Sequence, residues 1–224
     1  MILINKLLIA EKLANKNMFF LIVIIIFFLL WSIWGYFSSR VEQMNYVVSR
    51  RMRGYEIREY PSHIVAQAKI KGTYNEALSL GFRIVAGYIF GGNTKKENIS
   101  MTVPVTTQKE ISEKISMTAP VLATTQGDSH LISFGMPASY TLATLPVPND
   151  PQVKIVSVPT KKFAALRFSS WRSEARNEVM QSKLLGYLER DGIMHSGSPI
   201  YAGYNPPWTP PWMIRNEIML EILN

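Results

Sequence analysis

Met101 and Met117 hold the same place in two near-identical stretches. Ile99-Ser100-Met101-Thr102-Val103-Pro104-Val105 returns sixteen residues later as Ile115-Ser116-Met117-Thr118-Ala119-Pro120-Val121, with one difference in seven positions. A thioether fills apolar gaps and ligates soft metals. β-Branched residues and a proline in each copy oppose a helix. As extended strands the copies point Ile, Met and Val103 or Ala119 to one face and Ser and Thr to the other. Paired as a hairpin, they line one pocket with two methionines, although an inward methionine is ordinarily core filler. Other donors are sparse. His63, His130 and His195 each stand alone, and there is no cysteine. That absence excludes disulfides, thiolate metal sites, cysteine nucleophiles and covalent Cys-x-x-Cys-His attachment. No His-Glu-x-x-His, phosphate-binding glycine loop, Gly-x-Ser-x-Gly or acidic metal cluster occurs either. The expectation is a binding protein, not an enzyme.

A second, looser repeat supplies the elements that must position such groups. Tyr55–Tyr60, Pro61 and His63–Ile70 read as two strands about a proline turn. Thr73-Tyr74-Asn75-Glu76 then has the capping-box pattern that opens a helix, which runs to Ile89 and stops at Gly91-Gly92. About 98 residues later the order recurs as Val153–Val158, Pro159, Lys162–Phe168 and a helix beginning near Trp171. Closing strands are expected at the Met-Thr doublet and His130–Gly135 in the first half. In the second they fall at Pro199–Tyr204 and Glu217–Leu223. Ala77, Leu78, Phe82, Val85 and Ile89 form the apolar stripe of one helix; Ala175, Val179, Leu184, Leu185 and Leu188 form that of the other. The fold class is α+β: a pseudo-twofold antiparallel β-sheet or distorted β-barrel with two flanking helices.

The front of the chain is different. Met18 to Trp31 is an unbroken apolar run that reaches Phe37 if Ser32 and Gly35 are tolerated. About twenty helical residues cross the ~30 Å hydrocarbon of a bilayer, and Trp31, Trp34 and Tyr36 suit its interface. The same rings crowd the place where a signal peptide would be cut, so an uncleaved single-pass anchor is expected over residues 18–37. The net charge of +8 is concentrated beside it: residues 1–54 carry seven Lys/Arg against two acids, +5, leaving +3 for the rest. Anionic lipid is the natural partner of those charges, and no basic motif in the remainder suggests nucleic acid. Lysines before the span balance arginines after it, so the positive-inside rule does not orient the chain. The expected division is 1–37 tail and span, 38–54 basic tether, and 55–224 folded domain, at a membrane that we take to be a bacterial inner membrane.

Near the C-terminus, Pro206-Pro207-Trp208 and Pro210-Pro211-Trp212 make a stiff extended segment. It reads either as a rigid wall for a ligand, with Trp208 as its indole, or as a lid on a barrel end. Glu217 is a candidate buried acid facing a cavity.

Together, several stretches resemble one family. Met117-Thr118-Ala119-Pro120-Val121 and its doubled copy, Tyr55-Glu56-Ile57-Arg58-Glu59-Tyr60-Pro61, Gly87-Tyr88-Ile89-Phe90-Gly91-Gly92-Asn93, Tyr140-Thr141-Leu142 and Tyr204-Asn205-Pro206-Pro207-Trp208 resemble, in order, the SOUL haem-binding proteins. The resemblance implies the same architecture and non-covalent binding of haem or another porphyrin in a groove at the first helix, without a fixed axial ligand. On that helix Phe82, Val85, Ala86 and Tyr88 would form the apolar wall, and Arg83, Lys95 and Lys96 would meet propionates. The twofold plan is also similar to GyrI-like effector-binding domains. In that case Glu217, Tyr204 and Trp208 would face a cationic or amphipathic ligand, and weak hydrolysis stays open.

Overall fold

The apolar front folds as one helix, α1 (Ile2–Ser38), whose residues Asn15–Ser38 are long and apolar enough to cross a bilayer. The computed structural model describes residues 2–95, 112–171 and 173–223, with side chains from residue 15 onward. After α1 come β1 (Glu42–Gln43), β2 (Val47–Met52), β3 (Tyr55–Tyr60), β4 (His63–Lys71) and α2 (Tyr74–Ile89). Next are β5 (Asn93–Thr94), β6 (Thr118–Ala119), β7 (Val121–Gln126), β8 (Ser129–Gly135) and β9 (Val147–Pro148). The chain closes with β10 (Lys154–Val158), β11 (Lys161–Phe168), α3 (Glu174–Arg190), β12 (His195–Gly203) and β13 (Asn216–Ile222).

Nine strands form one antiparallel sheet in the order β10-β4-β8-β7-β12-β13-β11-β3-β2. That order contains the repeat. β3-β4-α2-β7-β8 and β10-β11-α3-β12-β13 exchange places about a centre between β7 and β12, and the first strand of each half pairs at the edge of the other. Each helix covers its own half of one face. Under α2 lie Ala66, Ala68, Ile132 and Phe134 with Ala77, Val85 and Ile89; under α3 lie Ile57, Leu166, Ile218 and Leu220 with Met180, Leu184 and Leu188. Fully burying a Leu, Ile or Phe side chain contributes ~1.5–3 kcal/mol, so these two faces hold the domain together. The opposite face buries Tyr60, Phe163, Met219 and Tyr204 beneath Val41, Met44 and Tyr46.

Some expectations shift in register. The first Met-Thr copy, Met101 included, lies outside the described residues. The second does not alternate as expected: Thr118 is buried, its hydroxyl donating to the Gly135 carbonyl, and β6 pairs parallel with β1. α3 starts at Glu174 because Ser173 caps it, its Oγ accepting from the Arg176 amide at 3.2 Å. Its inward stripe is Asn177, Met180, Leu184 and Leu188, while Val179 is 55 % exposed and Ala175 also faces out. The cause is Asn177, which takes an inward place because its amide donates to the Tyr74 hydroxyl across the two helices at 3.0 Å. Residues 42–52, in the stretch expected as a tether, carry β1 and β2, and β2 adds the last strand to the sheet.

Candidate functional site

α2 is fixed at both ends. At the first, the Glu76 carboxylate accepts from the Thr73 amide at 3.2 Å and from its hydroxyl at 2.7 Å. Those two bonds hold its pKa below the ordinary value. At the second, the Gly92 amide reaches back to the Gly87 carbonyl at 2.8 Å, with Gly91 at φ +114 supplying the left-handed turn. Asn93 then pins the returning chain: its amide donates to the carbonyls of Tyr88 (2.7 Å) and Glu113 (2.8 Å), and its Oδ1 accepts from the Glu113 amide. This brings residues 112–117 along the helix, with the Ile115 amide on the Ile89 carbonyl and Met117 packed against the core beneath α2.

What α2 presents outward is narrower than the sequence suggests. Phe82 is 37 % exposed, its ring 5.4 Å from that of buried Phe134. Arg83 opens onto a shallow groove with Lys71, Asn75, Glu76, Ser79 and Leu80. Among the described residues, neither Arg83 nor Lys95 makes a hydrogen bond or ion pair. Val85, Ala86 and Tyr88 instead point into the core, and the Tyr88 hydroxyl donates to the Pro146 carbonyl at 3.0 Å. They support the helix and are out of reach of anything lying on its outer face. Two groups absent from the sequence expectation join it: Phe90, 53 % exposed, and Lys114, whose Nζ sits 5.9 Å from that ring. Lys96 lies outside the described residues. Phe82, Arg83, Phe90, Lys95 and Lys114 thus give α2 and its C-terminal turn an aromatic, cationic outer surface.

The histidines do not gather. His130 is buried, with Thr125 Oγ1 at 3.1 Å, the Gly72 carbonyl at 3.2 Å and the Tyr74 ring against it. His63 Nδ1 is 2.8 Å from the Pro61 carbonyl, and His195 is exposed at the start of β12. Among the described residues no three His, Asp or Glu side chains converge on one point.

At the pseudo-twofold centre, Tyr74, Leu78, Ala123, Asn177 and Tyr201 line a cleft between the helices. Its cavity is ≈ 10 Å³, about the space of one water molecule. Glu217 touches this region but is fully engaged. Its Oε2 accepts from Arg58 at 2.7 Å and from the Tyr204 hydroxyl at 2.7 Å; its Oε1 accepts from Arg215 at 2.8 and 3.0 Å. Tyr46 lies over the Arg58 guanidinium at 4.4 Å, and Arg215 lies 3.9 Å over the Tyr204 ring. Burial alone would raise the Glu217 pKa, but the two guanidiniums and the tyrosine hold it below the ordinary value. Burial beside that carboxylate pushes the Tyr204 hydroxyl well up. Arg58 was legible in principle, since it shares a strand face with Glu56 and Tyr60. Trp208 is elsewhere, on the loop before β13, its carbonyl accepting from Trp31 of α1 at 2.8 Å. Glu217, Tyr204 and Trp208 therefore do not form one ligand-facing set.

Residues 41–221 match the SOUL heme-binding protein family. The chain belongs to the SOUL family. Heme-binding protein 1 of Xenopus laevis is 27% identical to it over 165 residues, 73% of this chain and 81% of that protein. The Xenopus tropicalis protein of the same name is 26% identical over the same shares. Among solved structures, the C-terminal domain of EcmrR aligns at TM-score 0.50 and 12% identity, covering 81% of this chain and 99% of that one. EcmrR in its complex with DNA aligns at TM-score 0.51 and 12% identity, covering 77% and 59%. These likenesses show the fold, and the family match begins at residue 41, within the stretch 38–54 expected as a tether.

Proposed function

We propose that this SOUL domain holds haem or a related tetrapyrrole reversibly and without covalent attachment, at a membrane to which α1 anchors it. The role is that of a binder which buffers, transfers or scavenges the group, not of a catalyst. Family membership over residues 41–221 carries this reading, and the Xenopus heme-binding proteins 1 support it. The residues present suit such a group. A tetrapyrrole brings a broad apolar plane and carboxylate tails. Phe82 and Phe90 offer exposed apolar surface, and Arg83, Lys95 and Lys114 are cations on the same helix and its C-terminal turn. Lys96 is assigned to the same cationic set from the sequence. Affinity then rests on apolar burial more than on charge, because exposed ion pairs contribute only ~0.2–1 kcal/mol each. A small cation is a poorer fit, since Glu217, the deeply buried carboxylate near the central cleft among the described residues, is already neutralised by two arginines.

Hemin titration of variants tests the location. Phe82→Asp is expected to weaken binding about tenfold or more, the loss of a burial worth ~1.5–3 kcal/mol. Arg83→Ala with Lys95→Ala and Lys96→Ala is expected to weaken it about tenfold, three pairs at up to ~1 kcal/mol each. Unchanged affinity in both variants would remove α2 from the site.

A further inference from the structure

The loop between β12 and β13 is docked on α1, and it is apolar where it meets the helix. The Trp31 indole N–H donates to the Trp208 carbonyl at 2.8 Å, and the Trp212 ring lies 5.7 Å from Phe28 and 5.5 Å from Trp31. A Cβ added at Gly35 would come within 2.6 Å of the Pro210 ring, so helix and loop touch directly. Asn205 closes the contact by donating to the Ser39 hydroxyl at 2.7 Å. Pro207, Trp208 and Trp212 nevertheless remain exposed, the two indoles at 55 % and 52 %.

The depth of this contact decides its meaning. A span of about twenty residues that starts after Lys16 ends near Tyr36. Phe28, Trp31 and Gly35 lie inside it, so whatever packs on them lies at membrane depth. Backbone polar groups are costly there unless satisfied within the protein. This loop has few donors to satisfy. Four of its eight residues from 206 to 213 are proline and carry no N–H. Of the other amides, Thr209 donates to the Pro206 carbonyl and Met213 to that of Pro210. Indoles favour the headgroup boundary, where an apolar ring and a polar N–H are both accommodated. Arg40, stacked 4.5 Å over the Tyr36 ring at the end of the helix, stands where lipid phosphates would lie.

We infer that the loop 206–212 is a second membrane contact, seated in the headgroup–acyl boundary beside α1, so that the folded domain rests flush on the bilayer. This rests on α1 being a span. It makes the domain a body of fixed attitude on the lipid surface, not one swinging on a tether.

The chain lacks cysteine, so single cysteines report cleanly. The full chain is reconstituted in vesicles of phosphatidylcholine and phosphatidylglycerol and labelled with an environment-sensitive fluorophore at Pro207→Cys or Trp212→Cys. Ile24→Cys reports the span, and Asp128→Cys, at the exposed β7–β8 turn, reports bulk water. Iodide is expected to quench the labels at 207 and 212 several-fold less than the label at 128. The label at 207 is decisive, because that variant keeps both indoles. Quenching at 207 equal to that at 128, with 24 protected, would overturn the loop contact and leave the span standing. Quenching at 24 equal to that at 128 would overturn the span and the loop contact with it.

Discussion

Glu217 is 1 % exposed and both its oxygens are bonded to cations or hydroxyls. Removing its charge takes from buried Arg58 its closest partner and leaves it to the partly exposed Glu56, 2.9 Å away. Breaking a buried pair in this way costs ~3–5 kcal/mol, so Glu217→Gln is expected to lower unfolding stability by about that amount in urea titrations. Glu221→Gln, which breaks the partly exposed pair with Lys161 at 2.6 Å, is expected to cost ~0–1 kcal/mol. The pH dependence has a definite sign. Because the folded-state pKa of Glu217 lies below its ordinary 4.5, its contribution is fully present above that value. It is lost as pH falls through the lower, folded-state value. Stability curves of the wild type and Glu217→Gln should therefore converge in acid; parallel curves down to the acid transition would remove Glu217 from the linkage. At this scale the sequence singled out Glu217 as a buried acid. Its partners were hidden because Arg58 is 159 residues away and is brought near only by β3 and β13 both pairing with β11.

The two helices occupy equivalent places, and their glycines differ in the face on which they lie: Gly81 is buried against the sheet, while Gly186 is exposed. A Cβ at Gly81 would lie 2.5 Å from Ile132 Cγ1 and 2.8 Å from its Cβ, atoms too near the backbone to swing aside. Gly81→Ala therefore separates α2 from β8 and is expected to destabilise by ~1–3 kcal/mol despite alanine's better helix propensity. Gly186, in α3, has nothing within 4 Å of such a Cβ, and Gly186→Ala is expected to stabilise by ~0.5–1 kcal/mol. Thermal unfolding of both variants checks the pair, and equal shifts of one sign would refute the difference in packing. Strands and helices were legible because alternation, proline turns and caps are local signals, as at Thr73 and Gly91. The register of α3 was not, since Asn177 is polar and earns its inward place only through Tyr74 of the other helix. Val85, Ala86 and Tyr88 were placed on the groove by the family resemblance, and no local pattern says how wide the sheet beneath α2 is, which buries all three.

As a whole molecule, the chain joins a SOUL domain to an apolar helix through a loop rather than through the connecting segment alone. The exchange of first strands between halves, with β3 beside β11 and β10 beside β4, follows from no local signal and needed the full sheet order. The central cleft holds ≈ 10 Å³, too little for a large planar ligand, and the proposed site is therefore the outer surface of α2. The most direct test is a hemin titration of the full chain in lipid nanodiscs, followed at the Soret band against empty nanodiscs. The account predicts a saturable shift at one haem per chain. A linear, unsaturable rise matching the empty discs would contradict it.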